Sequence, residues 1–430
     1  MPSMGYRPLA QTFFFDSFRI EPEHIVYEYS TDAGHQFTHT LSHTFPNPDA
    51  VRLAPALFAL GMAEISGYWK AILAPKIIVK AGALNPEQIA FWENLYRRGL
   101  GEFFFKNEID FRNLINVSSE AGALAHAPSS AALSGALVPF GGGKDSLVTG
   151  EMLKKASKKF VWFELESLPI SAPLMAATGI SASIQLGRDV QKNFGPIIDL
   201  VEQGAPNGHV PITSVYIFSA VLAALASGQR DVIPSLERSA EFGNTEYLGM
   251  EINHQYSKSL EFESAVHDYV QKFVNPNIRV FSLLRPLYEI QIVKEFVRYP
   301  KYFSLFVSCN RRLKTGGWCG ECAKCAFMFA ALSAFLAPAE VIVIFKKNLF
   351  EDKTLVTLYK DMTGLGSMKP FDCVGTFEEN MLALYLSAEQ YASVGLPLPV
   401  VLTELPVERG AQHLQLLSER GPHIIPEDYA

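Results

Sequence analysis

Apolar residues recur at helical spacing over positions 51–73 and 86–99, inside an aromatic-rich first third of the chain. From about position 132 the pattern changes. Residues 132–140 form a short continuous apolar run of strand length, and 146–157 follow at helical spacing. The alternation continues with a strand at 160–165, a helix at 212–227, a short strand at 231–236, a helix at 260–273, a strand at 279–284 and a helix at 289–299. Strands alternating with helices predict an α/β fold, a parallel sheet with helices on both faces. Positions 118–131, SSEAGALAHAPSSA, are small and polar and read as a connection. The expected organisation is an N-terminal α+β domain over 1–125, an α/β domain over 126–340 and a C-terminal extension over 341–430 of mixed pattern.

Composition narrows the function classes. Of 430 residues, 48% are apolar and 19% charged, which supports a large core and excludes bulk disorder. The net charge of −7, with no Lys/Arg block, argues against a nucleic-acid partner. The most apolar stretch, 326–345, contains Pro338 and Glu340, and reads as a buried helix followed by a strand, not as a membrane span. The first twenty residues show no basic segment leading into a long apolar run, so no signal peptide is expected. Four of the five cysteines are bunched, unlike a disulfide framework. These features together suggest a cytoplasmic protein.

Candidate chemistry begins at VPFGGGKDS, residues 138–146, between an expected strand and an expected helix. Consecutive glycines let backbone N–H groups converge on an anion, and the following helix N-terminus favours negative charge. Lys144 adds a cation, Asp145 could hold Mg2+, and the Ser146 hydroxyl could cap the helix or donate to a phosphate. The spacing matches neither a Walker A loop nor G-x-G-x-x-G. It resembles the S-G-G-x-D-S loop of the PP-loop ATP pyrophosphatases, with Gly141 in place of the usual serine. That resemblance implies ATP cleaved between its α and β phosphates, and Phe140, Gly141, Gly142, Gly143, Lys144, Asp145 and Ser146 as the ATP-binding stretch.

A second signal is Cys309-x9-Cys319-x2-Cys322-x2-Cys325. Four thiolates on tight turns fit structural zinc; a redox pair and an iron–sulfur cluster are the rivals. Three polar clusters lie at expected strand ends or helix starts. They contain Asn207, His209 and Thr213; Glu237, Arg238, Ser239 and Asn244; and His254, Tyr256 and Lys258. The bland alternatives are helix caps at Thr213 and Ser259, a surface ion pair Glu237–Arg238 and a satisfied loop histidine at His254. Cys373, in KPFDCVGT, stands outside the cysteine cluster.

Taken together, GMAEISGYWK (61–70), GLGEFFFKN (99–107), the glycine loop, NGHVP, ERSAEFGNT and KPFDCVGT resemble the muropeptide L-glutamate epimerase family, MurL. The resemblance implies inversion of the terminal glutamate of UDP-N-acetylmuramoyl-L-alanyl-L-glutamate, using ATP and Mg2+. Lys144, Asp145, Cys373, His254 and Lys258 then become candidate catalytic residues. The polar clusters, through Asn207, His209, Thr213, Glu237, Arg238, Ser239, Asn244 and Tyr256, become candidate substrate contacts. Adenylating the carboxylate would remove the negative charge beside which the carbanion must form, so that a base and an acid could invert the α-carbon. Cys373, His209, His254 and Lys258 are open alternatives for that proton work. Competing expectations are another PP-loop enzyme that amidates, thiolates or forms a nitrile, and a zinc-stabilised nucleotide-binding module without chemistry.

Overall fold

The structure is a computed structural model that describes residues 6–46, 48–122, 126–167, 169–309, 311–312 and 315–429. Its frame is one ten-stranded sheet. Three long strands, β1 (Thr12–Ile20), β2 (His24–Thr31) and β3 (Gln36–His43), form an antiparallel meander. On β3, buried and less buried residues alternate, so one face joins the core. Strands β4 (Lys76–Val79) and β5 (Asn116–Ser119) add in parallel beyond β1. The other half contains β6 (Ala136–Pro139), β7 (Phe160–Glu164), β8 (Ser183–Arg188) and β9 (Asp231–Val232). The strands β10 (Thr245–Tyr247) and β11 (Met250–Ile252) form a separate hairpin, and β12 (Arg279–Val280) closes the sheet edge. The order is β12-β9-β6-β7-β8-β3-β2-β1-β4-β5.

Residues alternate between two cores, which demonstrates helices on both faces. Leu137, Phe163, Val232 and Val280 pack with the helices Ile212–Ser227 and Leu260–Phe273. Ala136, Val138 and Trp162 pack with Lys144–Lys155, Glu289–Phe296 and Ala323–Ser333. The helix spacings at 86–99, 212–227 and 260–273 match the observed elements. The strand expected to end the 326–345 stretch is instead a second helix, Pro338–Phe345. Proline at its first position, with the Glu340 carboxylate accepting from Ala337 N, starts a helix there. Most of the apolar residues of the C-terminal extension join the second core.

The sheet runs without a break across the boundary expected at 125/126; residues 123–125 themselves lie outside the described residues. The join is antiparallel, with Leu41, Ser42 and His43 opposite Arg188, Gly187 and Leu186. Side chains reinforce it. Asn193 exchanges hydrogen bonds with the Thr40 backbone at 3.0 and 2.9 Å. Arg188 Nη2 donates to Glu64 Oε2 at 2.8 Å, and His39 Nε2 lies 3.3 Å from Glu64 Oε1. One described helix, Ala50–Ile72, is long and apolar enough to cross a membrane, and 78% of its apolar window is buried inside the protein.

Burial alone would raise Glu64, but Arg188 and His39 outweigh it and hold the carboxyl at about 2, below its ordinary 4.5. The pair's contribution is therefore complete above pH 4.5 and is lost as pH falls toward 2. Glu64→Gln should cost about 3–5 kcal/mol near neutrality, because it leaves Arg188 buried without its partner. It should also flatten the acid limb of the stability curve. Urea unfolding of both proteins at neutral and acid pH checks this; an unchanged neutral midpoint refutes it.

Candidate active site

In the parallel half the chain passes from β6 outward to β7 and β8, then returns to the other side of β6 for β9 and β12. The switch point is the C-terminal end of β6, where open α/β sheets bind ligands. The glycine loop sits there. Gly142 has φ +71°, and a Cβ on it would meet Ile170 at 2.8 Å, so glycine is required twice over. A Cβ on Gly141 would meet nothing within 4 Å, leaving an open cradle of backbone.

The helix behind the loop starts at Lys144, with Gly143 as its N-cap, so Ser146 does not cap it; its hydroxyl donates to Gly143 O at 3.1 Å. The Phe140 ring is core, packed on Trp162 with ring centres 4.8 Å apart. Lys144 does not project from the loop as a free cation. Its ammonium is buried, donating to Asp145 Oδ1 at 2.7 Å and to Glu289. Burial pushes Lys144 down, but the two carboxylates outweigh it and hold it protonated.

Beside the loop lies a chamber of buried charge. Lys258 Nζ donates to Cys373 Sγ at 3.2 Å. Burial would push the thiol up, but Lys258 and Lys324 outweigh it and bring it below its ordinary value. Burial would likewise lower Lys258, yet Cys373 and Glu237 hold it protonated. Glu237, only 4% exposed, is pushed up to about 7 by burial against the pull of Lys258. Ser239 Oγ accepts from Glu289 N at 3.0 Å. Glu379 accepts from Thr376 N at 2.8 Å and from Ile290 N at 3.0 Å, so one carboxylate serves two helix N-termini. Lys369, 4% exposed, makes no hydrogen bond among the described residues, and burial lowers it.

The hairpin β10–β11 supplies the next wall. Its turn residues Leu248 and Gly249 have φ of 50° and 80°, the paired positive values of a tight two-residue hairpin turn. At its open end Asn244 faces His254. Asn244 Oδ1 lies 2.8 Å from His254 Nδ1, while Asn244 Nδ2 donates to Pro370 O at 3.0 Å. His254 Nε2 and His209 Nε2 are both buried without a hydrogen-bond partner among the described residues. The two rings lie 6.3 Å apart, centre to centre. Burial lowers His254 to about 4 and His209 to about 3, so both are neutral near pH 7. His209 Nδ1 lies 3.4 Å from Glu102 Oε2. Lys70 Nζ donates to Gly208 O at 2.9 Å, and Asn107 Nδ2 to Asn207 O at 3.1 Å. The six stretches singled out in the sequence thus converge here from all three regions of the chain.

Three expected contacts do not join the cluster. Arg238 pairs with Glu419 at 2.8 Å and stacks on Tyr288, so Glu237 and Arg238 form no surface pair. The Tyr256 hydroxyl is held by Asn94 at 2.6 Å and donates to Glu261 at 3.2 Å. Thr213 sits in the first turn of its helix, where Pro211, not Thr213, is the cap. Ser259 is a cap as expected, accepting from Phe262 N at 3.1 Å. Glu289 and Glu379 were not singled out, and Glu102 and Lys369 stood only inside the quoted stretches GLGEFFFKN and KPFDCVGT. Thr376-x-x-Glu379 is a capping box that could have flagged Glu379.

A family model described as the MurL N-terminal domain matches residues 5–283, and a second, the MurL C-terminal domain, matches 305–409. The chain belongs to the MurL family. A relative from Xanthomonas oryzae pv. oryzae is 34% identical over 373 residues, covering 84% of this chain and 82% of that protein. One from Micromonospora is 32% identical over 374 residues, with the same coverage. One from Salinispora tropica is 29% identical across 100% of this chain and 97% of its own length. All three are named UDP-N-acetyl-alpha-D-muramoyl-L-alanyl-L-glutamate epimerase. No solved structure matches the chain. The first MurL domain contains every strand of the sheet, and the second contains the cysteine cluster and Cys373.

In this MurL chain the thiols of Cys309, Cys319, Cys322 and Cys325 lie within 4.8 Å of one another. Cys325 is 3.5 Å from Cys322 and 3.6 Å from Cys319. A tetrahedron of metal–thiolate bonds requires sulfurs about 3.8 Å apart, so the four fit one metal ion. The cluster ties the loop before Cys322 to the first turn of the helix Ala323–Ser333. We expect one metal ion per purified chain. Cys322→Ser, or chelation, should remove it and lower the melting temperature by about 5 °C or more. Elemental analysis beside thermal melts checks this; a metal-free chain with the same melting temperature refutes it.

Proposed function

We propose that this protein inverts the terminal L-glutamate of UDP-N-acetylmuramoyl-L-alanyl-L-glutamate to D-glutamate, with ATP and Mg2+ and through a carboxyl adenylate, in peptidoglycan precursor synthesis. The observation that carries the reading is a half-buried thiol–ammonium pair, Cys373–Lys258, and a buried unpartnered imidazole nitrogen on His254, clustered beside the switch-point glycine loop. The names of the relatives supply the substrate.

Each part has a physical role. The open backbone at Gly141 and the helix N-terminus behind it suit the phosphates of ATP, the use made of such a loop in PP-loop enzymes. Ile170, packed on Gly142, also lines a mostly apolar cavity of about 790 Å³ with Phe306, Val307 and Trp318, which suits a purine. Asp145, one-third exposed at the loop, and Glu289 are the carboxylates that would hold Mg2+, which supplies charge neutralisation at the phosphates. Adenylation makes the α-proton acidic enough for side-chain bases. Lys70, Lys106, Lys324 and Lys369 surround the histidines and Cys373 with positive charge for an anionic substrate. The metal of the four-cysteine cluster, zinc in this reading, stays structural because four thiolates leave no coordination position open. The reaction belongs in the cytoplasm, where ATP is supplied.

The test is a reaction with ATP, Mg2+ and the L-glutamate substrate in heavy water. D-glutamate carrying deuterium, with AMP and pyrophosphate, is the expected result. AMP without inversion would discard the epimerase and point to an amidating or thiolating relative. Inversion accompanied by ADP would discard the adenylate.

A further inference from the structure

We propose that the proton work is divided by face: His254 Nε2 takes the α-proton of the L-configured glutamyl group, and Cys373, reloaded by Lys258, delivers a proton to the opposite face. The assignment rests on the epimerase reading above and adds which residue serves which face.

The hydrogen-bond chain around Asn244 fixes the state of His254. Asn244 Nδ2 donates to Pro370 O at 3.0 Å, a carbonyl that can only accept, so the orientation of the amide is set. Asn244 Oδ1 then accepts from His254 N at 3.3 Å and from His254 Nδ1 at 2.8 Å. The ring proton is therefore on Nδ1, and Nε2 carries a lone pair. That atom is buried and has no partner among the described residues; the whole residue is 8% exposed. Leaving a buried acceptor unpaired is unfavourable, and a substrate proton is what it lacks.

The Cys373–Lys258 pair is the opposite case. Between them the two groups hold one transferable proton, whichever atom carries it, because an ammonium beside a thiolate is equivalent to an amine beside a thiol. One proton acceptor is empty and the other loaded, as two-base inversion of an L-substrate requires. The same tetrapeptide, Pro370–Cys373, holds both. Its Pro370 carbonyl orients Asn244, the Phe371 ring packs edge-on to His254 at 6.2 Å, and Cys373 supplies the sulfur. His209 also has an unpartnered Nε2, but its side chain is 23% exposed and its Nδ1 faces Glu102.

The balance is simple. The Cα–H bond breaks, its proton moves to His254 Nε2, and the electron pair passes into the activated carbonyl as an enolate. Lys258 passes its proton to Cys373 Sγ, and sulfur delivers it to the other face as the new Cα–H bond forms, leaving an amine beside a thiolate. Solvent then takes the proton from His254 and reprotonates Lys258.

The test follows α-hydrogen exchange in heavy water on the substrate and on its D-glutamate epimer, with the full-length protein, ATP and Mg2+. AMP release is measured in parallel. Cys373→Ala should exchange the L-epimer with retention and lose exchange of the D-epimer by about a hundredfold or more. His254→Gln should show the mirror pattern. AMP release should stay within a few-fold for both, which a general folding defect would not allow. If either variant loses AMP release, Cys373→Ser and His254→Asn are read in the same way. Exchange of both epimers, or of neither, by a variant that still releases AMP overturns the assignment and leaves the epimerase reading intact. An unaltered protein that makes no D-glutamate overturns the reading itself.

Discussion

Three residue pairs, Leu41–Arg188, Ser42–Gly187 and His43–Leu186, hold the two halves of the sheet together. The candidate site depends on that short antiparallel join and on the helices packed across it, Ala50–Ile72 against Ile212–Ser227. The chamber takes Lys70, Glu102 and Lys106 from one side of it, and the glycine loop, Glu237, His254 and Lys258 from the other. A rotation of one half against the other would separate His209 from Glu102 and Lys70 from Gly208. Burying Glu64 and Arg188 across the join is costly in itself, but it penalises any sliding that would leave either charge unpaired.

The same constraint governs the chamber. Lys144, Glu237, Glu263, Arg285, Glu289, Lys369 and Glu379 are nearly withdrawn from water, with Lys258 half-buried among them. Such a set is tolerable only when carboxylates and cations interleave and the remaining lone pairs find donors. Arg285 illustrates this: it donates to Glu263 at 2.7 Å, to Glu241 at 3.0 Å and to the Glu237 carbonyl at 2.6 Å. His254 Nε2 remains unsatisfied and Lys369 makes no hydrogen bond among the described residues, and a bound substrate is what would satisfy them. Lys144 behaves unlike a free loop cation because Glu289 and Asp145 reach it first.

Much of the parallel half was legible in the sequence, because helices of regular amphipathic spacing and short apolar strands carry their own period. The glycine loop was legible for the same reason, since a strand before it and a helix after it leave little else for three glycines to do. The continuity of the sheet was not legible, because strand pairing is non-local and β8 carries little apolar signal: of Ser183–Arg188 only Leu186 is fully buried. The hairpin at Asn244–His254 was missed because its turn, Leu248–Gly249, offers only one glycine. Glu289 was missed because a glutamate in a first helical turn looks like an ordinary surface residue, whereas the capping box at Thr376-x-x-Glu379 was the one local signal for Glu379. Arg238 and Tyr256 were placed among substrate contacts by their position in sequence, whereas tertiary partners claim both.

Cys373 and Glu379 lie in the last sixth of the chain, yet they complete a chamber whose other walls are finished by Glu289. During synthesis the nucleotide loop therefore emerges long before the sulfur. Until residues 369–379 arrive, Lys258 lacks its Cys373 partner and the proposed proton-donating face does not exist. On the proposed reading, a chain clipped before residue 369 would keep the glycine loop but lack Cys373, so the tail is what would couple the use of ATP to inversion.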